Sequence, residues 1–230
     1  MPSAPTESIG DERLFAALNR RFDVVSTIVE IGGKRFEILR PFSADDLISE
    51  AEFNRDERLP YWAEFWPSSI ALAQRLVSES GQGRSLLEFG CGTGLVATVA
   101  ASVGFDVTAT DYYADALEFA QLNALRNRAA ISATRHVDWR DFPEDLGRFD
   151  VVVASDVLYE RPNAAFVAAA FAATLKPNGL GILADPQRQN AAAFPVECRR
   201  RGLEIAGTAA IQIEHSAKRQ FIDLYELRKA

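Results

Sequence analysis

The stretch "LLEFGCGTG", residues 86–94, places three glycines within five positions, directly after an apolar run and an acid. Glycine has no Cβ atom, so such a segment can turn tightly and let a ligand lie against bare backbone. The apolar run predicts a buried strand, and residues 94–103 predict a helix. Strand, glycine loop and helix in this order are typical of proteins that bind a nucleoside-containing cofactor.

Strands and helices alternate on both sides of this loop. The predicted strands are 84–89, 105–110, 131–136, 149–154 and 179–184, and the predicted helices are 94–103, 114–127 and 162–175. This alternation is typical of an α/β, doubly wound, mostly parallel sheet. Two further β runs, 203–214 and 219–228, predict an antiparallel pair that completes seven strands at one edge.

The N-terminal part lies outside this alternation. Residues 1–12 are polar and predict a disordered tail, and residues 13–60 predict an extension containing a helix and a β-hairpin around Gly32 and Gly33. A second short helix is expected over 43–53, where Ser43 would cap it and Asp46 would lie in its first turn. Residues 61–230 then form the main domain.

Composition limits the classes of partner. The 230 residues suffice for one sizeable α/β domain, and a net charge of −7 disfavours binding to a nucleic-acid backbone. No apolar leader or membrane-length apolar run is evident. The two cysteines lack metal-ligand spacing, which indicates free thiols in a reducing compartment. We therefore expect a cytoplasmic protein without a metal, nucleic acid or membrane partner; the oligomeric state is left open.

Acids on either side of the glycine loop bear on the ligand. Asp111 ends the second strand of the alternation, where a carboxylate commonly accepts hydrogen bonds from ribose hydroxyls. Residues 92–97, "GTGLVA", also fit the dinucleotide fingerprint G-x-G-x-x-A. Glu88 precedes the first glycine, where an anion would repel a pyrophosphate and suit the ammonium of a methionyl group. Glu88 thus favours a methyl donor over a dinucleotide.

"LLEFGCGTG" with "TATD" after it resembles motif I and its following acid in the class I, seven-stranded S-adenosylmethionine-dependent methyltransferases, and "LKPNGLGILAD" (175–185) resembles that family's turn into strand five. The resemblance covers roughly residues 60–227. It implies S-adenosylmethionine as cofactor, held by Glu88, Gly90, Gly92, Gly94 and Asp111. In "VDWRD", Asp138 would accept from the adenine amine and Trp139 would stack on the ring.

Two further segments indicate which kind of molecule accepts the methyl group. "SDVLY", which ends strand four of the alternation, resembles the D-x-x-Y hallmark of methyltransferase family 16, whose characterised members are largely protein lysine methyltransferases. "PYWAEFWP" looks similar to the segment ahead of motif I in the electron transfer flavoprotein β-subunit lysine methyltransferases. The resemblance implies Asp156 and Tyr159 as catalytic residues, and Trp66 and Ser155 as cofactor contacts, with Trp62 as the second tryptophan candidate.

The residues allow a mechanism to be stated. Methyl transfer from a sulfonium is an in-line displacement, so catalysis is mostly positioning. Asp156 would orient an incoming amine and Tyr159 would form one wall of a narrow channel. A purely structural interpretation is an acid that caps a turn and a tyrosine that closes the end of the sheet. The leading interpretation is an N-methyltransferase that acts on a lysine side chain of a protein substrate. The alternatives are a small-molecule N-methyltransferase, a nicotinamide-dependent oxidoreductase and a non-catalytic cofactor-binding protein.

Overall fold

A computed structural model describes residues 8–44, 47, 60–215 and 218–230. The helix predicted over 43–53 lies outside the described residues, apart from 43, 44 and 47. Residues 1–7 of the predicted tail also lie outside them. Helix α1 spans Ser8–Asn19, so it begins inside the range predicted to be disordered.

The predicted hairpin is confirmed. Strands β1 (Val24–Ile31) and β2 (Lys34–Pro41) pair antiparallel, with Ile31 opposite Lys34. Gly32 and Gly33 form the two-residue loop with φ of 56° and 75°. Positive φ at both central residues is the requirement of the hairpin turn that matches strand twist, and glycine meets it without steric cost.

The main body alternates as predicted. Its elements are α2 (Pro67–Leu76), β3 (Ser85–Phe89), α3 (Leu95–Ser102), β4 (Asp106–Asp111), α4 (Ala114–Arg126), β5 (Ala133–His136), β6 (Phe149–Ser155), α5 (Asn163–Thr174), β7 (Leu175–Asp185), α6 (Phe194–Arg200), β8 (Leu203–His215) and β9 (Lys218–Lys229). Short 3-10 helices cover Tyr61–Ala63, Glu144–Leu146 and Gln189–Ala193.

The seven strands form one sheet in the order β5-β4-β3-β6-β7-β9-β8. Strands β3 to β7 are parallel, and β9 lies antiparallel between β7 and β8. The predicted doubly wound sheet with an antiparallel terminal strand is confirmed. Strand β7 begins at Leu175, four residues before the expected start, because a register shift against β6 accommodates the turn-forming "KPNG".

Helices cover both faces of the sheet. One apolar cluster joins α2 and α3 to alternate strand residues such as Leu86, and the other joins α5 and α6 to the intervening ones such as Leu87. Successive side chains of a strand point to opposite faces, so β3 contributes to both cores. Among the described residues, no helix has both the length and the apolar character needed to cross a membrane.

The N-terminal hairpin is attached to the main body through Asn123 of α4 and Asn127, which directly follows that helix. Asn127 accepts a hydrogen bond from the backbone N–H of Glu37 (2.9 Å) and donates to its carbonyl (2.7 Å). Asn123 makes the same two bonds with Leu39, both 2.8 Å. The two amides, one helical turn apart, thus take the place of a neighbouring strand along β2. Asn123 also donates to the carbonyl of Thr93 in the glycine loop (2.7 Å), which links the hairpin to that loop.

Candidate active site

A cavity of about 490 Å³ opens beyond the carboxyl ends of the parallel strands. This is the edge at which ligands bind in open α/β sheets. We divide it into two parts. The glycine-loop half comprises the loop after β3 with Asp111, Asp138 and Trp139; the Asp156 half comprises Asp156 with Tyr61, Trp66, Tyr159 and Arg188.

Two of the three loop glycines form the wall of the cavity. Gly90 has φ of 64°, and a Cβ there would lie 3.3 Å from both the Trp139 ring and the Val157 side chain. Gly92 has φ of 51°, and a Cβ would lie 3.1 Å from the Trp62 carbonyl oxygen. Bare backbone therefore faces the cavity where any side chain would be crowded. Gly94 does not line the cavity, because it packs against Ala120 beneath the loop.

Asp111 ends β4 at the cavity wall. Its Oδ2 accepts a hydrogen bond from Gly92 N–H (2.9 Å) and its Oδ1 accepts from Tyr113 N–H (3.0 Å). Burial raises the pKa of this carboxyl, and those backbone donors oppose the rise. A carboxylate has about four acceptor sites, so these bonds fix its orientation and leave capacity for hydroxyl donors.

Glu88 is placed differently from the sequence prediction. It is only 1% exposed and does not line the cavity. Strand alternation places its side chain on the same face of the sheet as Leu86. There its carboxyl accepts a hydrogen bond from the backbone N–H of Ala97, in the first turn of α3, while burial raises its pKa well above the usual value. Glu88 therefore supports the helix behind the loop, and its predicted contact with an ammonium group stays a prediction.

Asp138 and Trp139 both reach the cavity. The Trp139 ring lies over Gly90, so its position suits stacking on a flat ligand. The Asp138 carboxylate is bound by Arg140, through its backbone N–H (2.9 Å) and its guanidinium (2.8 Å). An adenine amine would share the acceptor capacity of Asp138 with that arginine.

Asp156 is the most constrained residue of its half. It follows β6 directly with φ of 57°, a conformation that costs a non-glycine residue on the order of 1 kcal/mol or more. Its backbone N–H donates to the Ala184 carbonyl (2.9 Å), which holds the turn against β7. Burial raises the pKa of the carboxyl, while the Arg188 guanidinium and the Ser68 hydroxyl lower it. Within the described part of the chain, its Oδ2 has no hydrogen-bond partner.

Three aromatic rings flank Asp156 at the cavity. The Tyr61 ring lies edge-on to the rings of Tyr159 (5.5 Å between centroids) and Trp66 (6.0 Å). The Trp66 indole N–H donates to the Tyr61 carbonyl (2.9 Å). Tyr159, Trp66 and Ser155 lie at the cavity as predicted. Trp62, the second candidate, is a core residue that packs against Phe119, although its backbone borders Gly92.

Tyr61 and Arg188 were missing from the sequence prediction. Arg188 forms an ion pair with Asp156, and its guanidinium carbon lies 5.6 Å from the centre of the Trp66 ring. It follows β7, so the rule that carboxyl ends of parallel strands meet at one edge points to this arginine. Tyr61 lies in the quoted "PYWAEFWP", from which the sequence prediction selected only the tryptophans.

Comparisons with known proteins agree with this arrangement. The profile of a family described as "Methyltransferase domain" matches residues 59–229. Protein-lysine methyltransferase METTL21E of Mus musculus is 33% identical over 115 residues, 44% of this chain and 47% of that protein. The ubiquinone biosynthesis O-methyltransferase of Bordetella avium is 33% identical over 148 residues, 57% of this chain and 59% of that protein. The chain thus matches about half the length of these relatives.

The fold is also shared with solved structures. Magnesium protoporphyrin IX methyltransferase (ChlM) from Synechocystis PCC 6803, solved with bound SAM, superposes with a TM-score of 0.58 at 20% identity. The superposition covers 80% of this chain and 94% of that one. At this identity the likeness establishes the fold alone.

Proposed function

This chain belongs to the class I S-adenosylmethionine-dependent methyltransferases, and from that premise we propose that it methylates the side-chain nitrogen of a lysine in a protein. The dinucleotide interpretation of residues 92–97 is set aside, since the family profile spans the loop. The glycine-loop half fits the donor, because bare backbone at Gly90 and Gly92 adjoins the Asp111 carboxylate and the Trp139 ring. S-adenosylmethionine supplies an electrophilic methyl group on a sulfonium.

The observation that carries the proposal is the Asp156 carboxylate, which is paired with Arg188 and belongs to a residue that lines the cavity. An acceptor amine that donates one N–H to this carboxylate would direct the lone pair of its nitrogen toward the glycine-loop half. Rigid placement of a nucleophile is the largest contribution a protein makes to such a displacement. Asp156 would therefore act as an orienting group.

The aromatic rings suit an aliphatic side chain that ends in nitrogen. Tyr61, Trp66 and Tyr159 offer apolar faces to the methylene groups of a lysine and also favour a cationic product. Neither His136 nor His215 is among the residues that line the cavity. The lysine would therefore lose its proton to solvent before it docks, since no histidine base is at hand.

Similarity to the lysine methyltransferase of Mus musculus supports a protein acceptor. A small-molecule acceptor is the second candidate, favoured by the longer match to the O-methyltransferase of Bordetella avium. The two candidates differ in the size of the labelled product.

Incubation with tritiated S-adenosylmethionine and a cell lysate tests the proposal. We expect label in a discrete protein band, and mass spectrometry should locate it on a lysine. The matched control is the variant Asp156→Asn, which should leave that band unlabelled while still binding S-adenosylhomocysteine. Label confined to the small-molecule fraction would transfer the assignment to the second candidate.

A further inference from the structure

Arg188 has no role in the mechanism described so far, although it is the ionic partner of Asp156. Its guanidinium lies against the Trp66 ring, and its backbone N–H donates to Oδ1 of Asp185 (2.7 Å). The side chain is 30% exposed and lines the cavity. Three separate elements thus hold this cation beside the proposed acceptor site.

Other charged groups face this pair from the neighbouring elements. Asp185 ends β7. Burial raises the pKa of its carboxyl, the charges of Asp156 and Asp223 of β9 add to the rise, and Arg188 opposes it. Burial also raises the pKa of Tyr225 of β9, and Asp185 and Asp223 add to that rise. None of these three residues lines the cavity. Glu64 and Glu160 line the cavity and are exposed, so they lie at its mouth. Among the described residues, the Asp156 half therefore presents one anion and one cation at depth.

This balance matters because an ammonium has no lone pair and cannot accept a methyl group. A buried carboxylate alone would bind the ammonium form of a lysine and hold its proton in place. A guanidinium beside that carboxylate repels a second cation at short range, while the carboxylate keeps the capacity to accept a further hydrogen bond. The exposed acids at the mouth can attract a cationic acceptor, while the paired charges at depth select its neutral form.

We propose that Arg188 is a positioning residue that balances the charge of Asp156, so that the acceptor nitrogen docks on the Asp156 carboxylate as a neutral amine. This inference rests on the proposed methylation of an amine and deepens it. It assigns a specificity role to a residue outside the motifs described above.

Two isosteric probes test this directly on the protein saturated with S-adenosylhomocysteine. Ethylamine is an ammonium at neutral pH, whereas 2,2,2-trifluoroethylamine is uncharged, and NMR titration can measure weak binding of each. Wild type should favour the uncharged probe. Arg188→Gln should shift the preference toward ethylammonium by about tenfold, as expected when one repelling charge is removed. Arg188→Lys, which keeps the charge, should retain the wild-type preference. An unchanged preference in Arg188→Gln would overturn the inference.

The pH dependence of tritium transfer into lysate protein gives a second readout. Arg188→Gln should move the acid limb of the rate to higher pH by about one unit, because the site then also binds the ammonium form, which cannot accept a methyl group. Arg188→Lys should restore the limb. If the acid limb of Arg188→Gln stays at the wild-type pH while the rate falls, Arg188 has only a structural role. If no protein is labelled at all, the proposed function fails, but the probe comparison still decides the role of Arg188.

Discussion

The two halves of the cavity are built from different parts of the chain. The glycine-loop half uses backbone, with Gly90 and Gly92 at positive φ and Asp111 held by two backbone N–H groups. The Asp156 half uses side chains from three separated segments, brought together by one ion pair and several ring contacts. A site lined by backbone is disrupted by any added side-chain atom, whereas a site lined by side chains can lose one contact and keep the others. The predictions below test this difference.

The largest expected effect on stability comes from substituting Gly94, which anchors the loop. Its φ is 82°, and an added Cβ would lie 2.5 Å from the Cα and Cβ of Ala120. Gly94→Ala should lower the free energy of unfolding by about 3 to 4 kcal/mol, since overpacking adds to the cost of positive φ. Gly33 of the hairpin turn is the control, because its φ is 75° and nothing lies within 4 Å of an added Cβ. Gly33→Ala should cost about 1 kcal/mol in urea denaturation; equal losses would contradict the packing explanation.

Removing one charge from the Asp156 half should affect turnover without affecting the other half. Asp156→Asn should lower kcat about 100-fold, comparable to the loss of one preorganised group at a reacting centre. Affinity for S-adenosylhomocysteine, measured by calorimetry, should change by less than about twofold. Asp145 is a suitable control, because its side chain is 74% exposed and lies outside the cavity. Turnover that survives in Asp156→Asn would remove this carboxylate from the mechanism.

The same contrast explains what could be predicted from the sequence. The loop from Gly90 to Gly94 and the acid after the next strand are local patterns, and both are found where expected, at the ends of β3 and β4. Arg188 has no local signature, because its role arises only when the loop after β7 meets the turn after β6. Nor does the position of Glu88 before the first glycine reveal that its side chain is buried behind the loop, where it meets the first turn of α3.

The next prediction concerns the link between the hairpin and the glycine-loop half. Asn123→Ala removes hydrogen bonds to both backbone groups of Leu39 and to the Thr93 carbonyl, all buried. Unsatisfied buried groups are costly, so the free energy of unfolding should fall by about 2 kcal/mol. Asn127→Ala is the comparison, since its bonds to Glu37 are partly buried and should cost less. Affinity for S-adenosylhomocysteine should also weaken in Asn123→Ala alone; equal affinity in both variants would show that the link stops at the hairpin.

The smallest expected effect on stability comes from Asp185, which is buried next to the Asp156 half. Burial raises the pKa of Asp185 from 3.8 to about 6, so the folded protein binds more protons than the unfolded chain between these values. Its contribution to the free energy of unfolding therefore falls by at most about 3 kcal/mol as the pH rises through that interval, and it stays low at higher pH.

Asp185→Asn removes this ionisation. The amide oxygen can still accept the hydrogen bond from Arg188 N–H, although the new buried donors take back part of the gain. At pH 7 the variant should be more stable than wild type by about 1 kcal/mol, and the difference should shrink or reverse near pH 4. Urea denaturation at both pH values measures this difference. Parallel pH profiles would mean that Asp185 titrates normally, and that the Asp156 half is not maintained at a cost to stability.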